Sequence, residues 1–402
     1  MYIWQRDNWQ GEPAPAFKWQ QTALAPRLDE IERLQRHLLA QHESPANAEG
    51  DGSARAGQLD EAQLDAARLD TLVQNALRTS EIEGEVLNAE SVRSSVVNGL
   101  GLENAGLFQA KQRGTAQTDS LAKLLIDATT DYQQSISLAS LCQWQAALFV
   151  EHDNVFPVRV GQLRGDAPMQ VVSGRFDRPT VHFEAPPREV LDDELTRFVD
   201  WFNSPPAALN RYLRAGLTHL WFVTLHPFDD GNGRVTRALT DRALAQADAT
   251  SIRYYSHSTV LMAERREYYD ILQASQRGDL DVTPWLEWFL DTLATAMRQG
   301  QQRFERVLCK TRFWRRHAQT VLSERQVKVL NRLLDTWGDD YSSGINATQY
   351  RSLAKVSKAT ATRELGDLLK KGCLTKLPGG GRSTRYALCD ETHPQQLMYA
   401  SN

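Results

Sequence analysis

The chain is predicted to be mainly α, with β structure confined to two hairpins, and to divide into more than one domain. Three observations carry this. Helix-length segments with helical apolar spacing run through most of the sequence, whereas short apolar runs joined by glycine-containing turns occur only near residues 169–183 and 373–388. The stretch 43–57 (ESPANAEGDGSARAG) is rich in Gly, Ala, Ser and acid and reads as a flexible surface loop. At 402 residues and 41% hydrophobic content the chain can bury more than one core, with expected divisions at 1–110, 111–300 and 315–390.

Composition narrows the function classes. A net charge of -4 excludes a molecule that is a generic polyanion binder over its whole surface. No run of eighteen apolar residues exists, and the opening residues Met1 to Asp7 go straight into mixed polar sequence, so the expectation is a cytoplasmic protein without a membrane partner. The cysteines, Cys142, Cys309, Cys373 and Cys389, are scattered without metal-ligand spacing and are expected to be reduced thiols.

In chain order, an aromatic, proline-containing stretch (YIWQRDNWQGEPAPAFKW) leads into helical sequence at 28–39, and after the loop a long helix is expected over about 59–77. At its end stands Thr79-Ser80-Glu81-Ile82-Glu83-Gly84. Taken alone, Ser80-x-x-Glu83 spells a helix capping box, with serine at the cap and glutamate at the third position. Further on, 160–187 holds two apolar runs, 169–172 and 181–183, separated by a turn at Ser173-Gly174 and a polar tip, the pattern of a β-hairpin.

The most informative segment is His226-Pro227-Phe228-Asp229-Asp230-Gly231-Asn232-Gly233-Arg234-Val235-Thr236-Arg237. Residues 215–225 (AGLTHLWFVTL) form an expected buried helix that delivers His226, and 234–247 form a second helix. Between them Gly231 and Gly233 permit positive φ and Asn232 tolerates it, so that successive N–H groups can curl into an anion-binding nest at a helix N-terminus. Arg234 and Arg237 follow at i and i+3, where the helix dipole disfavours cations unless an anion lies opposite. His226 has the pKa range of a general base at neutral pH, Asp230 offers a hard oxygen for Mg2+, and Phe228 is expected to anchor the loop in the core.

Glu267 to Leu272 and Gln276 continue the helical part; tyrosines such as Tyr268 and Tyr269 at this spacing are most often plain core. Beyond residue 320 the organisation changes. Helices are expected at 323–334, 348–355 and 358–371, with Gly372 past the last, followed by two strands in CLTKLPGGGRSTRYAL around a glycine-rich tip. Three helices and a hairpin in that order resemble a winged helix, with Lys358, Thr360, Thr362 and Arg363 near the start of the recognition helix and Arg382 and Arg385 on the wing. The cations suit DNA phosphates; winged helices also serve as protein-interaction modules.

The segment 226–237 resembles the Fic (Fido) motif, His-x-Phe-x-Asp/Glu-Gly-Asn-Gly-Arg-x-x-Arg, and matches it at every defined position. The resemblance implies a helical Fic core with a hairpin flap that transfers AMP from ATP to a Ser, Thr or Tyr hydroxyl of a protein target, releasing pyrophosphate. By that resemblance His226 is the general base and Asp230 holds Mg2+ on the α and β phosphates. Gly231, Asn232, Gly233 and Arg234 cradle the phosphates, and Arg237 takes the γ phosphate. It also places the flap, with Ser173 and Gly174, and Tyr268, Tyr269 and Gln276 around the nucleotide, the flap pairing with the target backbone by strand addition. Glycine at both loop positions favours AMP transfer over the phosphorylating branch, which has Ala and Lys there.

Residues 79–84 match the Ser/Thr-x-x-x-Glu-Gly/Asn inhibitory motif of the same family, and the wider run ALRTSEIEGEVLNAESVRSSVV extends the resemblance. It implies that Glu83 pairs with Arg237 and misaligns ATP. Self-modification and a homodimer are expected on the same basis, and the opening stretch resembles an N-terminal domain that precedes some bacterial Fic cores. Two other readings stay open: a nucleotide-sensing, DNA-binding regulator that modifies nothing, and removal of AMP from a modified protein with Glu83 positioning water.

Overall fold

In a computed structural model, residues 1–40, 61–102, 113–150, 158–175, 178–251, 253–335, 344–378 and 384–389 are described. Two short 3-10 segments, Ile3–Gln5 and Asp7–Gln10, precede helices α1 (Gln21–Ala40), α2 (Glu61–Ile82), α3 (Ala89–Gly99), α4 (Ala116–Thr130) and α5 (Leu138–Ala147). A hairpin of β1 (Gln170–Arg175) and β2 (Arg178–Glu184) separates these from α6 (Arg188–Asn203), α7 (Arg211–Leu225), α8 (Asn232–Asp248), α9 (His257–Ala263), α10 (Arg265–Arg277) and α11 (Thr283–Arg316). Helices α12 (Glu324–Asp335), α13 (Ala347–Ala354) and α14 (Lys358–Lys370) and strands β3 (Leu374–Lys376) and β4 (Tyr386–Leu388) follow. The chain forms two compact units, Met1–Gln301 and Gln302–Asn402, so the N-terminal region shares a unit with the helices that follow it.

Helices α7 and α8 make the centre of the first unit. Every residue of α7 from Tyr212 to Leu225 is buried, as expected for a helix that is apolar nearly all round. Asn210 caps it by accepting from the N–H groups of Tyr212 and Leu213. The all-round burial requires partners on all sides. Helix α8 lies along one of them, with α2, α4 and α5 against α8, while Phe198 and Trp201 of α6 pack on Trp221, with ring centroids 5.3 and 5.4 Å away.

The hairpin lies where expected, but Ser173 and Gly174 do not make its turn. Ser173 pairs with Thr180 and Gly174 with Pro179, so these two residues lie in β1 and the strand runs on to Arg175. Antiparallel pairing continues past the Ser-Gly pair to Arg175 opposite Arg178; residues 176–177 lie outside the described residues. A bulge between Val171 and Val172 shifts the register. The loop expected at 43–57 also falls outside the described residues.

In the second unit, α12, α13 and α14 enclose Val329, Leu330, Leu333, Ala361, Leu365 and Leu368, closed on one side by Leu374 of β3 and Leu388 of β4. Ile345 and Tyr386 exchange backbone hydrogen bonds of 2.7 and 2.9 Å, adding a third edge to the β3–β4 pair. The carboxylate of Glu364 is buried but accepts from Tyr350 Oη at 2.8 Å and Arg325 Nη2 at 3.0 Å. Arg382 of the expected wing lies outside the described residues.

The approach of α7 to α11 depends on Gly216. A Cβ there would lie 2.9 Å from Leu286 Cδ2 and 3.1 Å from Phe289 Cδ1, and the Gly216 carbonyl accepts the Trp285 indole N–H at 2.9 Å. Gly216→Val is therefore expected to lower the unfolding free energy by about 1–3 kcal/mol through overpacking, measured by urea denaturation of the full chain.

Candidate functional site

His226 ends α7 in the left-handed conformation, φ 48° and ψ 58°, the cost of which for a non-glycine residue is sustained by the contacts around it. Its N–H bonds Phe222 O at 3.2 Å, and its Nδ1 lies 3.2 Å from Val223 O, which accepts only from a protonated nitrogen. That contact fixes the tautomer, leaving the Nε2 lone pair free to act as the base. Burial lowers the imidazole pKa below its ordinary 6.5; the Val223 carbonyl opposes this, Arg164 adds to it, and Glu83 and Asp230 oppose it in turn.

The loop after His226 is bridged from within by the Asn232 side chain. Asn232 Oδ1 accepts from Phe228 N at 2.9 Å and its Nδ2 donates to Phe228 O at 2.7 Å, while the Phe228 ring is fully buried. The Asn232 side chain therefore shapes the loop, and only its backbone N–H is left to face an anion. Gly231 has φ 86°, and a Cβ there would also press on Leu148 and Phe149 at 3.1–3.2 Å. Gly233 does not use the positive φ open to it; it is already helical, in the first turn of α8. Its glycine character serves close approach instead, since a Cβ would collide with the Glu83 carboxylate and lie 3.1 Å from Arg237 Nη1.

Arg234 and Arg237, at the start of α8, each meet a carboxylate. Arg237, with 3% of its side chain exposed, donates from Nη2 to Glu83 Oε1 at 2.7 Å and to Thr79 O at 2.9 Å, and from Nε to Thr79 Oγ1 at 2.7 Å. Arg234 donates to Glu85 Oε2 at 2.9 Å and has its guanidinium 5.5 Å from the Phe149 ring centroid. Burial alone would raise the Glu83 carboxyl pKa, but the charge and hydrogen bond of Arg237, with Arg234 and His226, bring it below its ordinary value. Arg237 Nη1 and Arg234 Nε are buried and have no hydrogen-bond partner among the described residues. Donors at a helix N-terminus can take an anion larger than one carboxylate.

The capping-box reading of Ser80 and Glu83 is excluded by position. Helix α2 runs through Thr79 to Ile82 and ends there, so Ser80 lies in a last turn, not a first, and Asn88 is the residue that caps α3. Gly84 at φ 86° turns the chain just past Glu83.

The other residues singled out in the sequence divide. Asp230 is exposed, and its Oδ1 accepts from Gly231 N at 2.6 Å. Tyr269 is 41% exposed and lies near Glu83 and Arg237, at the rim of the site. Tyr268 and Gln276 lie inside the fold. Tyr268 is buried, its Oη 3.0 Å from His219 Nε2 and its ring stacked on Trp288, and Gln276 is buried against Thr224. Their helical spacing puts them on the inner face of α10, and Tyr268, like Tyr269, lies near Arg237 and Glu83. Ser173 and Gly174 lie within β1.

Two contributors carry too little signal to be found from sequence. Glu85 has no motif of its own. Arg164, 1% exposed, donates from Nε to His226 O at 2.9 Å and from Nη2 to Pro186 O at 2.5 Å, while its N–H bonds Pro227 O at 2.9 Å. It is a lone arginine in a loop, and only its burial gives it away.

Among the described residues no group of three or more His, Cys, Asp or Glu could hold a metal, and no helix is long and apolar enough to cross a membrane. Residues 135–244 match the Fic/DOC family, and residues 2–102 match a domain of unknown function, DUF4172. Similar curated proteins include "Protein adenylyltransferase Fic" of Culex quinquefasciatus, 25% identical over 232 residues, 58% of this chain and 42% of that one. The protein of the same name from Aedes aegypti is 33% identical over 98 residues, 24% of this chain and 18% of that one. The matches thus span less than half the length of these relatives. A crystal structure of a Fic family protein from Desulfovibrio desulfuricans G20 has the same fold at 18% identity, with a TM-score of 0.50, covering 92% of this chain and 97% of that one. The span that matches the Fic/DOC family contains His226, the Asn232-held loop, Arg234 and Arg237.

Proposed function

We propose that the protein transfers AMP from ATP to a hydroxyl side chain of a protein target and is held inactive by its own Glu83. The observation that carries this reading is the Glu83 carboxylate lying against Gly233 and Arg237 at the N-terminus of α8, with Arg237 Nη1 and Arg234 Nε left buried and unpartnered beside it. A carboxylate there occupies ground suited to a phosphate. His226, with Nε2 free, would take the proton of the attacking hydroxyl. The backbone N–H groups at the start of α8 and the two arginines would hold the phosphates, and Arg164 and Asn232 would keep base and loop in place.

Asp230 fits Mg2+ as a single exposed carboxylate, which suits an ion that takes one or two protein ligands and completes its shell with phosphates and water. When bound, the ion would neutralise phosphate charge. Tyr269, at the rim, is the candidate aromatic for the base. The names of the relatives support the chemistry.

The test is label transfer from ATP carrying label at the α or γ phosphate, in a lysate with Mg2+. Glu83→Gly removes a charge-assisted hydrogen bond of about 1.5–3 kcal/mol, so α-label transfer is expected to rise about 10- to 100-fold. His226→Ala in that background is expected to lose about 10²–10⁴-fold. Transfer of γ label would mean a kinase. Loss of activity on Glu83→Gly would favour AMP removal, with Glu83 positioning water.

The pH dependence follows from the two shifts. The imidazole is depressed by burial, so the neutral base persists below the ordinary histidine range and the acid limb of the Glu83→Gly rate profile should lie below pH 6.5. Removing Glu83 takes away a charge that opposes this depression, which moves the limb further down. In the wild type, Glu83 is itself depressed, so its ion pair holds at all pH values above the carboxyl range and fails only as pH falls through its lowered pKa. Rate profiles of both proteins between pH 5 and 8 check this: wild type should stay low throughout.

We further infer that the second unit is a winged helix that binds duplex DNA. Residues 302–402 hold 18 Lys and Arg against 9 Asp and Glu, so residues 1–301 hold 28 against 41; a chain of net charge -4 thus separates into +9 and -13. The outward face of α14 presents Lys358, Thr362, Arg363 and Lys370 with the small residues Ala359 and Gly366 between them, a slim cationic face suited to a major groove. Lys358→Ala/Arg363→Ala should weaken binding to a 30-base-pair duplex about tenfold and lower the slope of log K against log salt by about 2, measured by fluorescence anisotropy. Equal binding by wild type and variant would set this reading aside.

A further inference from the structure

We propose that the N-terminal segment, the first part of the DUF4172 region, is a brace for the hairpin, with Tyr2 and Trp4 as positioning residues that hold β2, and with it the exposed strand β1, in a fixed place relative to His226. The inference rests on reading the hairpin as the strand to which a protein target pairs.

The root of the hairpin is held residue by residue. Arg277 Nη2 donates to Val181 O at 2.8 Å, His182 Nδ1 lies 2.8 Å from Gln273 Oε1, and Ala185 N donates to Met169 O at 2.9 Å. The N-terminal segment supplies the next holds. The Tyr2 ring meets the buried Phe183 ring edge-on at 5.2 Å, and Trp4 Nε1 donates to Glu184 O at 2.7 Å. One residue beyond Ala185, Pro186 O accepts from Arg164, whose Nε holds His226 O. Hairpin root and base are thereby tied by a set of contacts in which Phe183, Ala185, Pro186 and Arg164 are buried.

The segment is itself fixed well enough to act as a support. Ile3 and Trp9 are buried, Arg6 donates twice to Gly278 O at 2.9 and 3.1 Å, Trp9 Nε1 bonds Glu194, and Lys18 N bonds Leu280 O at 2.7 Å. The hairpin needs it: a two-stranded sheet is marginal alone, and here Val171 and Val172 of β1 are 37% and 51% exposed. A strand meant to accept another strand must keep its edge open and so must be stiffened from behind.

The test uses the full chain with Trp4→Ala and Trp4→Phe, which removes the donor but keeps a ring. Trp4→Ala should speed hydrogen exchange of the β1 and β2 amides about tenfold while α7 and α8 stay unchanged. In the Glu83→Gly background it should lower α-label transfer to lysate proteins about tenfold with Mg-ATP affinity, read by calorimetry, unaltered. Trp4→Phe should fall between. Unchanged hairpin exchange overturns the brace, as does a parallel loss of Mg-ATP affinity, which would make Trp4 a general support of the core. If Glu83→Gly itself transfers no label, the adenylyl-transfer reading fails while hydrogen exchange alone still decides the brace.

Discussion

Arg237 is the group on which the rest of the site depends. A guanidinium with 3% of its side chain exposed, on a helix whose dipole opposes it, is tolerable only with an anion in contact. Glu83 supplies that anion from just past the end of α2, more than 150 positions away in the chain. Thr79 satisfies two further donor contacts with its hydroxyl and carbonyl, and the pair dictates that α2 must end at the mouth of α8. The packing of α2 on α3, α4 and α9 is what delivers it there. Stability and proposed restraint are therefore the same contact: the carboxylate that makes a buried cation acceptable is the one that fills its binding place.

Much of the site is legible in the sequence because its residues are constrained by chemistry at short range. Gly231, Asn232 and the histidine at the end of an apolar helix are local requirements of a tight turn, and a tight turn writes itself into consecutive residues. Gly233 is glycine for a different reason from the one its motif suggests: its missing Cβ serves an approach from Glu83, and approaches across the fold leave no periodic trace. The same limit hides Glu85 and Arg164, whose meaning lies in partners 149 and 62 residues away. For Tyr268 and Gln276 the spacing gives burial and no more, since a helical stripe looks alike whether it faces a cavity or a core.

The fold is legible at the level of elements and less so at their ends. The helices α7, α8 and α12 to α14 follow from apolar spacing and caps to within a few residues. Ser173-Gly174 has turn chemistry but lies within β1, because pairing partners opposite it let the strand continue. Helix α2 outruns its expected end near residue 77 for a related reason: Thr79 and Ser80 favour caps in isolation but are buried here and carried through by packing.

The position of Glu83 on the same chain has a consequence for how the proposed restraint responds to metabolism. A tethered carboxylate competes at an effective concentration fixed by geometry, on the order of millimolar or higher for a short link, and that value does not vary with the cell's ATP supply. Nucleotide abundance is then a poor key for this lock. A signal that displaces the last turn of α2, where Thr79 grips Arg237 by both hydroxyl and carbonyl, would act on the tether itself, so the protein would report on whatever touches that helix end and not on energy charge.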